Sequence, residues 1–233
     1  MPRVVILGCG TEVGKTRVSV ALLRELARLG LPALGLKPVE SGIAPSELQQ
    51  PPASSDAHAL ALAGSLRPLR PYPIYAFRDP ISPHLAARVS GVRIELSSAV
   101  AWVEQMESDV TPLVASDSTI WSVVETAGGV FSPLSATAVN FDLGLALDPA
   151  VWVLVAADAL GVLHEVSATL QAMRARGRVP DHVVLSGARP ADASTGSNAA
   201  ELSALGIATP SAVLARNDDS GITALVDRLM AHA

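Results

Sequence analysis

The chain has 233 residues, of which 49% are hydrophobic and 17% charged, with a net charge of −5 at pH 7. This composition is typical of a folded chain and excludes a disordered one, and the charge argues against a nucleic-acid-binding surface. Cys9 is the only cysteine, so an internal disulfide framework is excluded. No apolar run approaches the ~20 residues of a membrane span, and the N-terminal run is too short for a signal peptide. We therefore expect one cytoplasmic domain over 1–233 with no nucleic-acid or membrane partner.

Apolar runs and helical periodicities alternate along the chain. Continuous apolar runs predict buried strands at 4–8, 33–37, 120–125, 151–156 and 182–185. Helical spacing predicts helices at 15–29, 56–63, 84–89, 96–107, 162–176, 195–205 and 220–231. The proline-rich stretches 42–55 and 66–83 are predicted to be irregular. This alternation predicts an α/β fold with a central, mainly parallel sheet flanked by helices, and ligands bind such sheets beyond the carboxyl ends of the strands.

The segment after the first predicted strand is rich in glycine. It is Gly-Cys-Gly-Thr-Glu-Val-Gly-Lys-Thr over 8–16, between a predicted strand and a predicted helix. This is the pattern of a phosphate-binding loop, with one residue more than usual between Gly8 and Gly14. Its backbone N–H groups and the helix start would face phosphates, Lys15 would reach the β- and γ-phosphates, and Thr16 would hold Mg²⁺. The loop therefore predicts a P-loop NTPase three-layer fold.

Three further polar residues stand at predicted element ends. Lys37 follows the second strand, and it and Lys15 are the only two lysines of the chain. Glu125 follows the strand at 120–124, where P-loop enzymes place a second magnesium group, and two glycines come shortly after it. Asp56 opens a predicted helix. Taken singly, each of these residues also fits an ordinary solvated lysine, turn residue or helix cap.

Taken together, these motifs resemble the dethiobiotin synthetase family. The matching segments are Thr-Glu-Val-Gly-Lys-Thr at 11–16, Lys-Pro-Val-Glu-Ser-Gly at 37–42, Ser-Asp at 55–56, Ser-Pro-His at 82–84 and Glu-x-Ala-Gly-Gly-x-x-x-Pro-Leu at 125–134. The resemblance implies a homodimer in which ATP drives the carboxylation of 7,8-diaminononanoate by CO₂ or bicarbonate. A carbamate and a carbamic-phosphoric anhydride would precede ring closure to dethiobiotin, in biotin biosynthesis.

The resemblance also implies a role for individual residues. Lys15 and Lys37 would be catalytic, and Thr16, Asp56 and Glu125 would hold Mg²⁺. The implied nucleotide-binding residues are Thr11, Glu12, Val13, Gly14, Lys15, Thr16, Arg17, Asp56, Glu125, Gly128, Ser186 and Gly187. The implied substrate-binding residues are Glu12, Lys37, Ser41, Gly128, Gly129, Leu160, Gly161 and His164.

The chain departs from the family pattern at three places. Thr126 stands where the family usually has glycine, and it would be strained if the position required a positive φ. His164 replaces an asparagine at the start of a helix. The C-terminal third, with Leu-Ser-Gly-Ala at 185–188, lacks both the asparagine with which many members read adenine and the later Gly-Glu-Ile-Pro segment. Base discrimination depends on placed hydrogen-bond partners, so we expect either a relaxed nucleoside preference or a re-routed base contact.

Other P-loop proteins remain alternatives. A paralogous amidoligase of the cobyrinic-acid type normally carries a glutamine-hydrolysing domain with a catalytic cysteine, for which this chain has no room. A nucleotide-switch ATPase commonly has an extra lysine early in the loop, where this chain has Cys9 and Gly10. A non-catalytic relative would fit the changes at Thr126 and His164, but not the intact set of lysines and carboxylates.

Overall fold

The computed structural model describes residues 1–43 and 51–231. The strands of this part are β1 (Arg3–Gly8), β2 (Ala33–Leu36), β3 (Val39–Ser41), β4 (Tyr75–Phe77), β5 (Trp121–Glu125), β6 (Val151–Ala157), β7 (His182–Ser186) and β8 (Ala212–Leu214). Its α-helices are α1 (Lys15–Arg28), α2 (Asp56–Ala63), α3 (Pro83–Val89), α4 (Leu96–Val110), α5 (Asn140–Ala146), α6 (Val162–Ala175), α7 (Asn198–Ala204) and α8 (Ile222–Met230). Residues 44–50 of the predicted loop 42–55 lie outside the described residues.

A parallel sheet of six strands forms the centre of the molecule, in the order β2-β5-β1-β6-β7-β8. β1 lies in its middle, where Val5 is opposite Val124 of β5 and Trp152 of β6. The strands are buried on both faces, which explains why they are continuous apolar runs in the sequence. The predicted α/β fold with a mainly parallel sheet is confirmed.

Helices cover both faces of the sheet and bury two separate apolar clusters. Val4 and Ile6 of β1 pack with α1, α2 and α8 on one face. Val5 and Leu7 pack with α4, α5, α6 and α7 on the other. This alternation follows from the two-residue period of a strand, which sends successive side chains to opposite faces. None of the helices within 1–43 and 51–231 combines the length and the apolar character needed to cross a membrane.

Helix α1 begins and ends at glycines with positive φ. Gly14, with φ of 93°, precedes its first residue. At its end Gly30 has φ of 74°, its N–H donates to Ala27 O, and the N–H of Leu31 donates to Leu26 O. These two bonds form a Schellman motif, which satisfies carbonyls that the helix end leaves open. The predicted helix at 15–29 is therefore confirmed to within one residue.

Four elements were not predicted from the sequence. Three of them are the strands β3, β4 and β8, which have three residues each, too few for a periodic pattern. Of these, β3 and β4 pair as a separate two-stranded parallel sheet beside proline-rich segments. Helix α5 contains Gly144, which disfavours a helix in sequence. A Cβ at Gly144 would lie 2.8 Å from the Trp152 ring, so glycine is required there for the helix to reach the sheet.

Gly35 of β2 provides a test of this packing. A Cβ at this position would lie 2.5 Å from Leu23 Cδ1 and 2.7 Å from Leu60 O, between α1 and α2. We expect Gly35→Ala to lower the free energy of unfolding by about 1–3 kcal/mol, the usual cost of overpacking a core. Urea denaturation would measure it, and Leu62→Ala, at an exposed position of α2, should change stability by less than about 0.5 kcal/mol. If Gly35→Ala and the unmodified chain had the same free energy of unfolding, the close packing of α1 and α2 against Gly35 would be contradicted.

Candidate nucleotide-binding and catalytic site

A cleft of about 770 Å³ opens at the carboxyl edge of the central sheet. Its walls come from the loop before α1, the ends of β2 and β5, the start of α2 and the segments 80–83 and 188–190. The cleft therefore lies where parallel α/β sheets bind ligands. It gathers most of the predicted site residues, namely Thr11, Glu12, Gly14, Lys15, Thr16, Lys37, Ser41, Asp56, Glu125 and Gly128.

The predicted phosphate-binding loop wraps around the start of α1. Glu12 has φ of 57° and Gly14 has φ of 93°, so both lie in the left-handed region that turns the backbone inward. The side chain of Val13 is fully buried in the apolar core, which leaves only its backbone for a ligand. Lys15 is also buried, and its Nζ donates to Gly10 O at 3.1 Å. Burial lowers the pKa of Lys15, partly opposed by attraction to Glu125.

A buried ammonium bridges two carboxylates in the cleft. Lys37 Nζ donates to Asp56 Oδ2 at 2.5 Å and to Glu125 Oε1 at 2.6 Å. Lys37 is 5% exposed and Glu125 is fully buried. Burial alone would lower the pKa of Lys37, but attraction to Glu125, Asp56 and Glu40 outweighs it and raises the pKa. The two carboxylates therefore favour the charged form of Lys37 at the base of the cleft.

Glu125 also binds two hydroxyl groups of α1. Thr16 Oγ1 donates to Glu125 Oε1 at 3.0 Å, and Ser19 Oγ donates to Oε2 at 2.8 Å. The end of β5 is thus fastened to the first turns of the helix that follows the phosphate-binding loop. Ser19 was not predicted from the sequence, because a serine inside a helix matches no motif.

Asp56 is oriented by a doubly capped helix start. Ser55 Oγ accepts the N–H of His58 at 3.1 Å, as an N-cap should. Glu40 of β3 accepts the N–H groups of Asp56 at 2.8 Å and Ala57 at 3.0 Å. Burial raises the pKa of Glu40, whereas for Asp56 attraction to Lys37 outweighs burial and lowers the pKa. Glu40 was missed because its role depends on β3, which is too short to predict.

The backbone of Thr126 is unstrained, although the family resemblance implies a glycine at this position. The non-glycine residues with positive φ among those described are Glu12, Asp148 and Asn217. Thr126 instead points inward, and its Oγ1 donates to Ile6 O at 3.0 Å. The Thr126 side chain therefore ties the segment after β5 to β1, at a backbone conformation that a non-glycine residue adopts without strain.

The glycine pair that follows has divided roles. Gly128, with φ of 79°, lines the cleft. The N–H of Gly129 donates to Ser132 Oγ at 2.9 Å, and its carbonyl accepts from Asn140 Nδ2 at 2.9 Å. Asn140 also donates to Ala127 O, so one side chain holds the loop on both sides of Gly128. Asn140 was missed because α5 was not predicted.

A second cavity of about 370 Å³ adjoins the cleft at Ala188. It is lined by Gly187, and by Arg17, Arg216, Asn217 and Asp219. The Arg17 guanidinium donates to Asp219 Oδ1 at 2.8 Å and to Ala215 O, so it holds the loop after β8. Ser186 lies outside this cavity, fully buried against Gly14.

Three predicted substrate residues lie apart from the cleft. Leu160, Gly161 and His164 are exposed at the start of α6, and none of them lines the cleft. The N–H of Leu160 is occupied by Asp192 Oδ2 at 2.8 Å. Ser41, in contrast, lines the cleft, and its Oγ has no hydrogen-bond partner among the described residues.

Known proteins resemble this chain over most of its length. A family described as an AAA domain matches residues 2–219. The ATP-dependent dethiobiotin synthetase of Anaeromyxobacter sp. (strain K) is 35% identical over 211 residues, which cover 90% of this chain and 87% of that protein. That of Caulobacter sp. (strain K31) is 36% identical over 176 residues, covering 75% and 71%.

The fold likeness is broader. The MinC:MinD cell division protein complex of Aquifex aeolicus matches with a TM-score of 0.52 and 12% identity, over 100% of this chain and 97% of that chain. At that identity the likeness concerns the fold alone, and it agrees with the predicted P-loop three-layer architecture. From the sequence relatives and the family match, the chain belongs to the family of ATP-dependent dethiobiotin synthetases.

Proposed function

We propose that the chain uses ATP to carboxylate 7,8-diaminononanoate and close its ring, which yields dethiobiotin, ADP and phosphate. One observation carries the proposal: a phosphate-binding loop and the buried Lys37 bridge to Asp56 and Glu125 share one cleft. The family name of the relatives supports the same reaction.

The reaction needs positioning and charge neutralisation more than covalent help from the protein. CO₂ adds to one free amine of the substrate and forms a carbamate, with release of a proton. A carbamate oxygen attacks the γ-phosphorus of ATP, which gives the mixed anhydride and ADP. The second amine attacks the carbonyl carbon, phosphate leaves and a proton is lost as the cyclic urea forms. Phosphoryl transfer of this kind is promoted mainly by alignment and electrostatic stabilisation.

The two lysines provide that stabilisation. Lys15 lies in the phosphate-binding loop, and its lowered pKa reflects burial that an anionic ligand would compensate. Lys37 is held as a cation by Asp56 and Glu125, next to the space where carbamate and γ-phosphate would meet. Glu12, Gly128 and Ser41, which line the cleft, would position the diamine.

The oxygen groups around Lys37 also suit Mg²⁺. Thr16 offers a hydroxyl and Asp56 and Glu125 offer carboxylates, and hard divalent cations prefer such ligands. We propose that these three residues hold Mg²⁺ together with the nucleotide. The ion would neutralise charge on the β- and γ-phosphates. Besides holding it, Glu125 keeps Thr16 oriented through their hydrogen bond.

The nucleotide would span both cavities. Its phosphates would lie on the backbone of residues 11–16 and its base in the cavity formed by Gly187 and Asn217. Arg17 would then support the nucleotide indirectly, through the loop after β8 that it holds.

We also propose that the enzyme is a cytoplasmic homodimer. The segment at the start of α6 is exposed and does not line the cleft of its own subunit. It contains the predicted substrate residues Leu160, Gly161 and His164. A second subunit could bring this segment to the substrate at the interface, as the family resemblance implies.

Lys37 provides the main test of the reaction. We expect ADP release that depends on both 7,8-diaminononanoate and bicarbonate, and a loss of about 100-fold or more in kcat for Lys37→Gln, as for removal of an electrostatic stabiliser. Removing this cation leaves the fully buried Glu125 carboxylate without its ion-pair partner, so thermal unfolding would be recorded in parallel. Lys37→Arg keeps the charge and should fold, yet its planar group should also lower kcat.

The exposed Arg93 offers a matched control, and Arg93→Gln should leave kcat unchanged. An equal rate of ADP release with and without the diamine would contradict the proposed synthetase reaction and favour a nucleotide switch. Full activity of both Lys37 variants would show that Lys37 is not catalytic.

The second cavity provides a test of nucleoside preference. Directly after β7, Gly187 and Ala188 offer no polar side chain to a base, and Asn217 is the uncharged polar residue among those that line the second cavity, so the base has few fixed partners. We expect kcat/KM for CTP and GTP to fall within about tenfold of the value for ATP, because strong discrimination requires placed polar partners. Steady-state rates at matched Mg²⁺ would measure it. A preference for ATP of several thousandfold would show that other groups read the base.

A further inference from the structure

Arg189 lies where the two cavities meet. It follows β7 in the segment 188–190 that lines the cleft, and the preceding Ala188 borders both cavities. This segment touches the phosphate-binding loop, since a Cβ at Gly14 would lie 2.9 Å from Ala188 Cβ. The Arg189 carbonyl accepts from Arg216 Nη1 at 3.2 Å, on the side of the second cavity. A nucleotide that spans both cavities must therefore pass Arg189.

The other cations that line the cleft are already engaged. Lys37 is buried between Asp56 and Glu125, and Lys15 is buried against Gly10 O. The Arg189 side chain is 38% exposed and has a long ion pair, 3.6 Å from Nη1 to Glu165 Oε1, with Glu165 34% exposed. Exposed pairs of this kind contribute little, so a stronger anion can displace Glu165.

The cleft wall carries more carboxylates than cations, so a triphosphate that binds there depends on each cation that can reach it. The wall carries the carboxylates of Glu12, Glu40, Asp56 and Glu125, against the cations Lys15, Lys37 and Arg189. Lys15, Lys37 and the proposed Mg²⁺ would neutralise part of the charge of a triphosphate, and Arg189 is the remaining cation among the residues that line the cleft. A planar guanidinium can bind phosphate oxygens through two parallel N–H groups, which gives strong, directional hydrogen bonds.

We propose that Arg189 binds the phosphate chain of the nucleotide, and that Glu165 of α6 holds the Arg189 side chain at the cleft until the nucleotide arrives. The proposal rests on the proposed function only in that the cleft takes a nucleotide. Neither Arg189 nor Glu165 lies in the family motifs found in this sequence. Glu165 is not a ligand of the nucleotide in this scheme but a competitor for the same guanidinium.

Calorimetric titration of the full chain with MgATP, without diamine, tests the proposal directly. Arg189→Gln should raise Kd about tenfold, as expected for lost hydrogen bonds to a charged group, and Arg189→Lys should have a smaller effect. Glu165→Gln should leave Kd unchanged or lower it, since it removes the competitor. Arg93→Gln, at another exposed ion pair, should leave Kd unchanged, and thermal unfolding would confirm that each variant folds.

Steady-state kinetics separate the phosphate chain from the substrate carboxylate as the partner of Arg189. Arg189→Gln should raise KM for ATP and leave KM for 7,8-diaminononanoate unchanged. An unchanged Kd for MgATP in Arg189→Gln, a weaker one in Glu165→Gln, or a rise confined to the diamine KM would overturn the proposal. Because the titration requires no turnover, absence of diamine-dependent activity would refute the proposed function without affecting this result.

Discussion

The Lys37 bridge to Asp56 and Glu125 is the interaction on which the site depends. One ammonium joins the ends of β2 and β5 to the start of α2, and the Glu125 carboxylate extends the connection to Thr16 and Ser19 of α1. Buried ion pairs are costly to desolvate and are often no more stabilising than apolar packing. Retention of such a cluster at the carboxyl edge of the sheet is therefore better explained by chemistry than by stability.

Around this cluster the structure fixes each charged group through a second contact. Glu40 holds the start of α2 by two backbone N–H groups, and Asn140 holds the loop after Glu125 on both sides of Gly128. Groups held in this way do not need to reorganise when charge develops on the reacting atoms, which is the main electrostatic contribution to catalysis. The site is thus rigid at its base, whereas Arg189 at its mouth is exposed and weakly paired.

The sequence predicted what depends on local pattern. The strands around the site are buried on both faces, so their apolar runs and the polar residues that follow them are visible in sequence. The phosphate-binding loop, Lys37, Asp56 and Glu125 were found in this way, and the structure brings them into one cleft. Ser19, Glu40, Asn140 and Arg189 were missed, because each acts across a large sequence separation or from an element too short to show a period. The exposed position of His164 also depends on how α6 lies on the sheet, which no local pattern reports.

The tie between Arg17 and the loop after β8 has a consequence for the order of folding during synthesis. The phosphate-binding loop is made well before Arg216, Asn217 and Asp219, which complete the lining of the second cavity and which Arg17 fastens through Asp219 and Ala215. Helix α8 packs on the same face as α1 and completes that apolar cluster. The two cavities are therefore built from segments that are far apart in the order of synthesis. The second cavity itself is complete only after residues 216–219 have emerged and Arg17 has bound them.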